Sequence, residues 1–142
     1  MIILKFKNFD YKFVNSWVEN GIVDLYKSAG WWSDNYNSAG IQKLIRGSFA
    51  FLVIVDLKTD KTVGMGRLIS DGVSDAYIQD VVILPDYRGL GLGKKLIEIL
   101  VSKCIEKDIR WIGLIAEPGQ ENFYLKVGFD EMLKYVPMKY KI

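Results

Sequence analysis

The residues best suited to chemistry form a glycine-rich segment in the second half of the chain, Arg88-Gly89-Leu90-Gly91-Leu92-Gly93. It lies between an apolar segment typical of a buried strand and a long amphipathic segment typical of a helix. The start of a helix exposes unpaired backbone N–H groups and carries the positive end of the helix dipole. Glycines let the backbone approach an anion without side-chain clash. With Arg88, Lys94 and Lys95 as cations, the segment predicts a phosphate or pyrophosphate site.

Two common phosphate-binding motifs do not fit this segment. The P-loop has four residues between its first glycine and a Gly-Lys pair, followed by Ser or Thr. Here Gly89 and Gly93 are one residue too close, and Lys95 takes the place of the hydroxyl residue. The dinucleotide fingerprint needs its third glycine at another position and an acidic residue at the end of the next strand. The pattern that fits is Arg/Gln-x-x-Gly-x-Gly/Ala, which runs from Arg88 to Gly93.

The elements on either side must hold this turn in place. Ala76–Leu84 ends in a continuous apolar run, which suits a strand buried on both faces, and Pro85 ends it. Gly91–Lys107 is the best predicted helix, because Leu92, Leu96, Leu100 and Cys104 recur at every fourth residue. Cys104 lies on that apolar stripe, which predicts a small buried core residue.

The remaining segments predict a mixed sheet with helices, an α+β (α/β-like) fold with one parallel crossover. The predicted helices are Asn15–Ser28 with Gly30 as its stop, Ser38–Arg46, and Pro118 to Val127. The predicted strands are residues 2–7, Phe49–Asp56, Thr62–Ser70, Trp111–Ala116, Phe129–Tyr135 and Met138–Ile142.

Composition limits the classes of protein. With 142 residues, 50% hydrophobic and 25% charged, the chain predicts a single globular domain over residues 1–142. A net charge of +2 without a basic block argues against nucleic acid or a membrane as partner. The absence of histidine excludes Ser-His-Asp catalysis, and one cysteine cannot build a thiolate metal site. No signal peptide is recognisable, and the single cysteine makes the cytoplasm the expected compartment.

The segment DVVILPDYRGLGLGKKLIEILV resembles the central motif of the GNAT superfamily of N-acetyltransferases. FYLKVGF is similar to the second motif of that superfamily, and the resemblance covers roughly residues 49–130. More narrowly, KSAGWW, GRLISDG and AYIQDVVILPDYRGLGLG resemble bacterial members without an assigned substrate and the plant chloroplast serotonin/lysine N-acetyltransferases.

The resemblance implies a mixed central sheet of about six to seven strands with about four helices, splayed at the strand that binds acetyl-CoA. It implies acetyl-CoA as cosubstrate and no metal. The pantetheine arm would bind the backbone of three strand residues, Val81, Val82 and Ile83. The pyrophosphate would lie on the turn formed by Arg88, Gly89, Leu90, Gly91, Leu92, Gly93 and Lys94.

Three residues are candidates for proton transfer. Tyr124 lies where the superfamily often carries a tyrosine near the thioester sulfur, and it is the candidate acid; otherwise it is a partly buried helix aromatic. Asp80 interrupts an apolar strand, and burial disfavours the charged form of a carboxylate, which suits a general base. Its alternative role is that of a structural hydrogen-bond acceptor. Glu117 stands where many members have asparagine, and it is the rival base or a first-turn acid that favours the helix dipole.

Trp31, Trp32 and Asp34 lie where the superfamily forms part of its acceptor site, and Asp71 is a further candidate by position. An aromatic pair beside a carboxylate suits an apolar amine, although the tryptophans could equally be packing residues and Asp71 a turn residue. The expected activity is acetyl transfer to a primary amine, such as an arylalkylamine, a polyamine or a lysine. The alternative is an acetyl-CoA-binding sensor or scaffold without turnover. Many members are homodimers, which leaves a homodimer open for this chain.

Overall fold

A computed structural model describes residues 7–142. The strands are β1 (Phe9–Phe13), β2 (Ala50–Asp56), β3 (Lys61–Ser70), β4 (Asp75–Ile83) and β5 (Trp111–Gly113). The helices are α1 (Glu19–Ser28), α2 (Gly40–Gly47), α3 (Leu92–Glu106) and α4 (Glu121–Lys126), with a 3₁₀ turn at Pro85–Tyr87. None of the helices within these residues is long and apolar enough to cross a membrane.

The strands form one sheet in the order β1-β2-β3-β4-β5. The first four are mutually antiparallel, and β5 pairs with β4 in parallel. A parallel pair needs a crossover connection, and α3 supplies it between β4 and β5. Every residue of β2 is buried, because this strand is central and covered on both faces.

Helices α1 and α3 cover opposite faces of the sheet. A Cβ placed on Gly66 of β3 would lie 2.8 Å from Leu96 Cδ2, so this residue faces α3 and only glycine leaves room for the helix. Its neighbour Arg67 faces the other way, since side chains alternate along a strand. Arg67 contacts Asp80, which in turn contacts Tyr26 on α1.

A bulge interrupts the pairing of β3 with β4. Met65 pairs with Val82 and Arg67 with Gln79, so that Gly66 alone faces both Asp80 and Val81. Asp80 has a φ of 57°, a left-handed conformation that aspartate tolerates better than most residues. The bulge bends β4 just before its last residues.

β4 and β5 pair only at the beginning of β4, before the bulge. Their ladder covers only Asp75–Tyr77 of β4 against Trp111–Gly113 of β5. Residues 78–83 of β4 therefore keep one edge without a strand partner among the described residues. The sheet is open at this edge, as the resemblance implied.

The α+β fold with four α-helices and a parallel crossover is confirmed, and so is the burial of Cys104. The described residues form five strands rather than six or seven. The prediction of strands at Phe129–Tyr135 and Met138–Ile142 is wrong: Lys134 has a φ of 72°, which breaks an extended run, and residues 138–142 belong to no strand. The strand predicted at 2–7 falls outside the described residues, apart from Lys7, which lies in a turn.

Several boundaries also differ from the predictions. Helix α1 begins at Glu19 rather than Asn15, α4 begins at Glu121 rather than Pro118, and β5 ends at Gly113 rather than Ala116. Strand β1, which pairs with β2, was not among the predicted strands.

Candidate functional site

The glycine turn carries backbone donors that have no acceptor among residues 7–142. Gly89 and Gly91 have φ values of 77° and 84°, which side-chain-bearing residues rarely adopt. Gly91 is the N-cap of α3, and it makes no side-chain cap hydrogen bond because glycine has no side chain. The first backbone bond into the helix runs from Lys95 N to Gly91 O, so the N–H groups of residues 92–94 have no intrahelical acceptor. Such donors, at the positive end of a helix dipole, suit an anion.

A hydrogen bond anchors the 3₁₀ turn before the glycines to strand β2. The Tyr87 hydroxyl donates to Oδ2 of the buried Asp56 at the end of β2, at 2.8 Å. Asp56 Oδ1 accepts the backbone N–H of Lys58 at 2.9 Å. These two bonds, from Lys58 and Tyr87, hold the pKa of Asp56 below its ordinary value. The same hydrogen bond, together with burial, raises the pKa of Tyr87. The anchor fixes the 3₁₀ turn that leads into the glycines.

Cationic side chains surround the turn. Arg88 Nε donates to the backbone oxygen of Ile83 at 3.0 Å, so this side chain folds back over the end of β4. Lys94 is exposed and lies 3.9 Å from Glu98 one turn further along the helix. Lys95 Nζ lies over the ring of Tyr11, 4.9 Å from its centroid. Arg88 and Lys94 are thus within the turn that the sequence marked, and both are solvent-exposed.

The open edge of β4 is followed, after the 3₁₀ turn, by the glycine turn. It includes the predicted backbone-binding residues: Val82 is buried, and Val81 and Ile83 are half-buried. An unpaired strand edge offers N–H and C=O groups at a regular spacing. A ligand with amide groups in an arm and a pyrophosphate at its end would match this edge and the uncapped helix start. The residues present therefore fit CoA.

Helix α4 brings Tyr124 to this region. A Cβ on Gly93 would lie 3.3 Å from Phe123 Cζ and 3.6 Å from Ile83 Cγ1, so α4 packs directly against the start of α3 and the end of β4. The half-buried Tyr124 ring packs edge-on against Phe123 and Phe129, with centroids 4.9 and 5.9 Å away. Burial, and secondly the charge of Glu117, raise the pKa of the Tyr124 hydroxyl. The phenol therefore keeps its proton over a wide pH range.

Glu117 itself is exposed, and its backbone oxygen accepts the N–H of Gln120 at 3.0 Å. It lies in the connection from β5 to α4, before the helix rather than in its first turn. The charge of Glu117 raises the pKa of the Tyr124 hydroxyl, so these two predicted residues interact electrostatically.

Asp80 is at the centre of a polar cluster on the α1 face. Its Oδ2 accepts Arg67 Nε at 2.6 Å and the Tyr26 hydroxyl at 2.8 Å. The Arg67 and Asp80 side chains are only 16% and 21% exposed, so the ion pair is largely shielded from water. Both bonds go to Oδ2, which leaves Oδ1 free of these two partners. Burial raises the pKa of the Tyr26 hydroxyl above its ordinary value, and the negative charge of Asp80 is the second cause of this increase.

An aromatic row extends from this cluster to the surface. The Trp32 ring lies 6.4 Å from the Tyr26 ring and 5.6 Å from the exposed Tyr36 ring, which it meets edge-on. The row begins where α1 ends: Gly30 has a φ of 76°, and Trp31 N donates to Tyr26 O at 3.0 Å to close the helix. Trp31 is half-buried and packs on the core.

The other two acceptor candidates lie in connections between the helices and strands. Asp34 is exposed in the turn that follows Trp32. Asp71 is in the β3–β4 turn, at the far end of β4 from the glycines, where it accepts the backbone N–H groups of Val73 and Ser74, both at 2.8 Å. The hydrogen bond from Ser74 N–H lowers the pKa of the Asp71 carboxyl, and the bond from Val73 N–H adds a smaller effect in the same direction. The structure thus brings Trp32 close to the Asp80 cluster and does not bring Asp71 there.

Sequence reasoning missed Arg67, Tyr26 and the Asp56–Tyr87 anchor. One signal for Arg67 was present: Arg67 and Asp80 are opposite charges that interrupt two consecutive apolar strands. Tyr26 lies on the buried face of α1 with apolar residues, where its hydroxyl gives no separate signal in the sequence.

Comparison with known proteins agrees with this geometry. Residues 24–141 match the sequence model of the acetyltransferase (GNAT) domain. The chain belongs to this family. The uncharacterized N-acetyltransferase ycf52 of Pyropia yezoensis is 37% identical over 110 residues, which are 76% of this chain and 62% of that protein. The chloroplastic GCN5-related N-acetyltransferase 2 of Arabidopsis thaliana is 43% identical over 70 residues, 49% of this chain and 27% of that protein.

The chain thus spans less than two thirds of the length of these relatives. Among solved structures, a probable acetyltransferase from meticillin-resistant Staphylococcus aureus superposes with a TM-score of 0.80. The alignment covers 94% of this chain and 99% of that one, and the two sequences are 21% identical. The TM-score over this coverage shows that the two chains share a fold.

The role of the glycine turn can be tested with two variants that introduce the same side chain at two glycines of similar positive φ. Gly91→Val should abolish most CoA binding, because a side chain at a φ of 84° distorts the backbone that carries the free N–H groups. Gly30→Val places the same side chain at a φ of 76° beyond α1 and should leave CoA affinity unchanged. Each variant carries a backbone cost of about 1–2 kcal/mol or more. Calorimetric titration with CoA measures the affinities, and thermal unfolding measures the stabilities.

If both variants lose stability alike and retain equal CoA affinity, Gly91 is required only by the fold. In that case the turn is not the anion site.

Proposed function

We propose that this chain transfers the acetyl group of acetyl-CoA to a primary amine. The observation that carries the proposal is that the open edge of β4 is followed, after the 3₁₀ turn and the glycines, by the start of α3 with its unpaired N–H groups. Family membership and relatives with N-acetyltransferase names support the same activity.

The backbone of Val81, Val82 and Ile83 would hold the pantetheine arm, and the turn from Arg88 to Lys94 would hold the pyrophosphate. When bound, acetyl-CoA supplies an activated thioester. The helix dipole and the exposed cations Arg88 and Lys94 favour the charge of the phosphates. This binding fixes the thioester relative to the side chains that border β4, which is a large part of the rate gain available to such an enzyme.

Tyr124 is suited to protonate the leaving sulfur. The free amine nitrogen forms a bond to the acetyl carbon, the carbon–sulfur bond breaks, and the thiolate takes a proton from the Tyr124 hydroxyl. The proton that the new amide nitrogen releases restores the hydroxyl. A phenol whose pKa is raised by burial and by Glu117 holds this proton at neutral pH. Its position beside Phe123, which packs at the end of β4, supports the role.

Asp80 is suited to receive the amine. An alkylammonium has a pKa near ~10.4 and must lose a proton before it attacks. Arg67 and Tyr26 fix the Asp80 carboxylate through Oδ2, and Oδ1 remains for the ammonium group or for a water that carries its proton. Asp80 lies three residues before Ile83, about 10 Å along the strand. Glu117, beside Tyr124, is the rival base.

The acceptor that best matches the cluster is an amine on an apolar or aromatic body. The Tyr26, Trp32 and Tyr36 rings form a row of contacts that joins the Asp80 carboxylate to the exposed Tyr36 ring. Aromatic faces attract both apolar groups and cations. A polyamine or a lysine side chain would use the carboxylate and leave most of the ring surface uncovered.

The activity can be tested by CoA release with a panel of amines. We expect an arylalkylamine to give a higher kcat/KM than spermidine or a lysine peptide. Tyr124→Phe should lower kcat by ~10²–10⁴-fold and change the acetyl-CoA KM little, because the hydroxyl acts only in the transition state. An unchanged kcat in Tyr124→Phe, with chemistry shown to limit the rate, would remove Tyr124 from the mechanism. CoA binding without release by any amine would favour a sensor.

The base can be assigned with two isosteric variants. Asparagine tolerates the positive φ of residue 80, and its amide oxygen can still accept from Arg67 and Tyr26. Asp80→Asn should lower kcat/KM at neutral pH and recover partly at high pH, where more of the amine is free. Glu117→Gln should do less. A wild-type pH profile in Asp80→Asn together with a flattened profile in Glu117→Gln would exchange the two roles. If neither variant changes the profile, the amine arrives already deprotonated and the site works by positioning.

A further inference from the structure

Strand β1 reaches the start of α3 through the side chain of Tyr11. Its hydroxyl donates to the backbone oxygen of Leu92 at 3.0 Å, although 81 residues separate the two along the chain. Leu92 is the first residue of α3, and Tyr11 is the middle residue of β1. Tyr11 is half-buried, and burial, followed by the charge of Glu98, raises the pKa of its hydroxyl. The phenol therefore keeps its proton and remains a hydrogen-bond donor.

The pairing of the strands explains how Tyr11 reaches this helix. Tyr11 pairs with Ile54 of β2, which pairs with Gly64 of β3. Gly64 in turn pairs with Ile83, the last residue of β4. Directly paired residues turn their side chains to the same face of a sheet, so this row crosses four strands and ends beside the glycine turn. The Tyr11 ring also lies under Lys95 of α3, whose Nζ is 4.9 Å from the ring centroid. One side chain thus makes two contacts with the beginning of this helix.

The Leu92 oxygen belongs to the same peptide group as the N–H of Gly93. That N–H is one of the donors at the start of α3 that have no intrahelical acceptor. In a helix the N–H groups point towards the start and the carbonyl oxygens point the other way. The helix supplies this oxygen with one partner, the N–H four residues further on, and its second lone pair can accept from Tyr11. Hydrogen bonds at the two ends of one polar group strengthen each other.

We propose that Tyr11 is a positioning residue of the phosphate site, acting through the peptide group between Leu92 and Gly93. Its hydroxyl holds and polarises this group, so that the Gly93 N–H becomes a stronger donor to the pyrophosphate. The inference rests on the proposed function, because that function places the pyrophosphate of CoA at the start of α3. It adds a residue from a strand that is three places away from β4 in the sheet. If Tyr11 were only a packing residue, its hydroxyl would have no specific effect on phosphate binding.

Two variants that each delete one hydroxyl test this role in the full chain. Tyr11→Phe keeps the ring and removes the donor to Leu92. The matched control Thr62→Val removes the half-buried hydroxyl on β3 that accepts the Trp17 indole N–H at 2.8 Å. In calorimetry, Tyr11→Phe should weaken CoA binding about 3- to 10-fold, the scale of one hydrogen bond, and leave the affinity for dephosphorylated pantetheine unchanged. Thr62→Val should change neither affinity.

Nitrogen-15 NMR of the ligand-free chain tests the peptide group directly. In Tyr11→Phe the amide nitrogen of Gly93 should shift upfield, because the peptide group loses the hydrogen bond that polarises it at the Leu92 oxygen. In Thr62→Val this resonance should stay in place. A Gly93 resonance that moves no further in Tyr11→Phe than in the control would overturn the inference. An equal loss of CoA affinity in both variants would also overturn it, because the effect would then be a general one of stability.

The wild-type chain separates this inference from the proposed function. If the wild type binds CoA no more tightly than dephosphorylated pantetheine, the phosphate site fails, and the proposed function and the inference fail with it. If the wild type prefers CoA and Tyr11→Phe keeps that preference in full, the inference alone is wrong and the phosphate site remains.

Discussion

The bulge at Asp80 and Val81 is the constraint from which the arrangement of the site follows. Two residues of β4 face the single residue Gly66, and Gly66 has no side chain because α3 lies directly above it. The left-handed conformation of Asp80 is held by the Arg67 ion pair and by the Tyr26 hydroxyl on the opposite face. A largely buried carboxylate would be costly without such partners. The polar cluster thus stabilises a backbone conformation that a regular strand would not adopt.

This local irregularity divides the site between the two faces of the sheet. On one side, the chain passes from β4 through the 3₁₀ turn to the start of α3, where Gly93 lies beside Ile83 at the end of the strand. On the other, α1 contributes Tyr26 and the loop after it contributes Trp32. The acetyl donor and the amine would then approach β4 from different directions and meet beside the bulge. In the proposed mechanism, Tyr124 of α4, the helix that packs against the start of α3, belongs to the donor side.

The parts of the site that depend on local chemistry could be predicted from the sequence. Glycines at positive φ, Pro85 and the apolar stripe of α3 all act within a few residues, and together they defined the turn. The partners of Asp80 could not be predicted in the same way. Which residue faces Asp80 depends on the strand register, and the bulge changes that register at this position. The strand predicted at Met138–Ile142 is absent because strand propensity alone does not supply a neighbouring strand to pair with.

The central claim is that the start of α3 binds a pyrophosphate, and calorimetry of CoA against dephosphorylated pantetheine tests it most directly. Both ligands carry the arm that would lie along β4, and only CoA carries the pyrophosphate. The account predicts that CoA binds far more tightly and that added salt narrows the difference, since screening weakens the attraction between charges. Equal affinities for the two ligands would contradict the account, because the uncapped helix start and its glycine turn would then contribute nothing to binding.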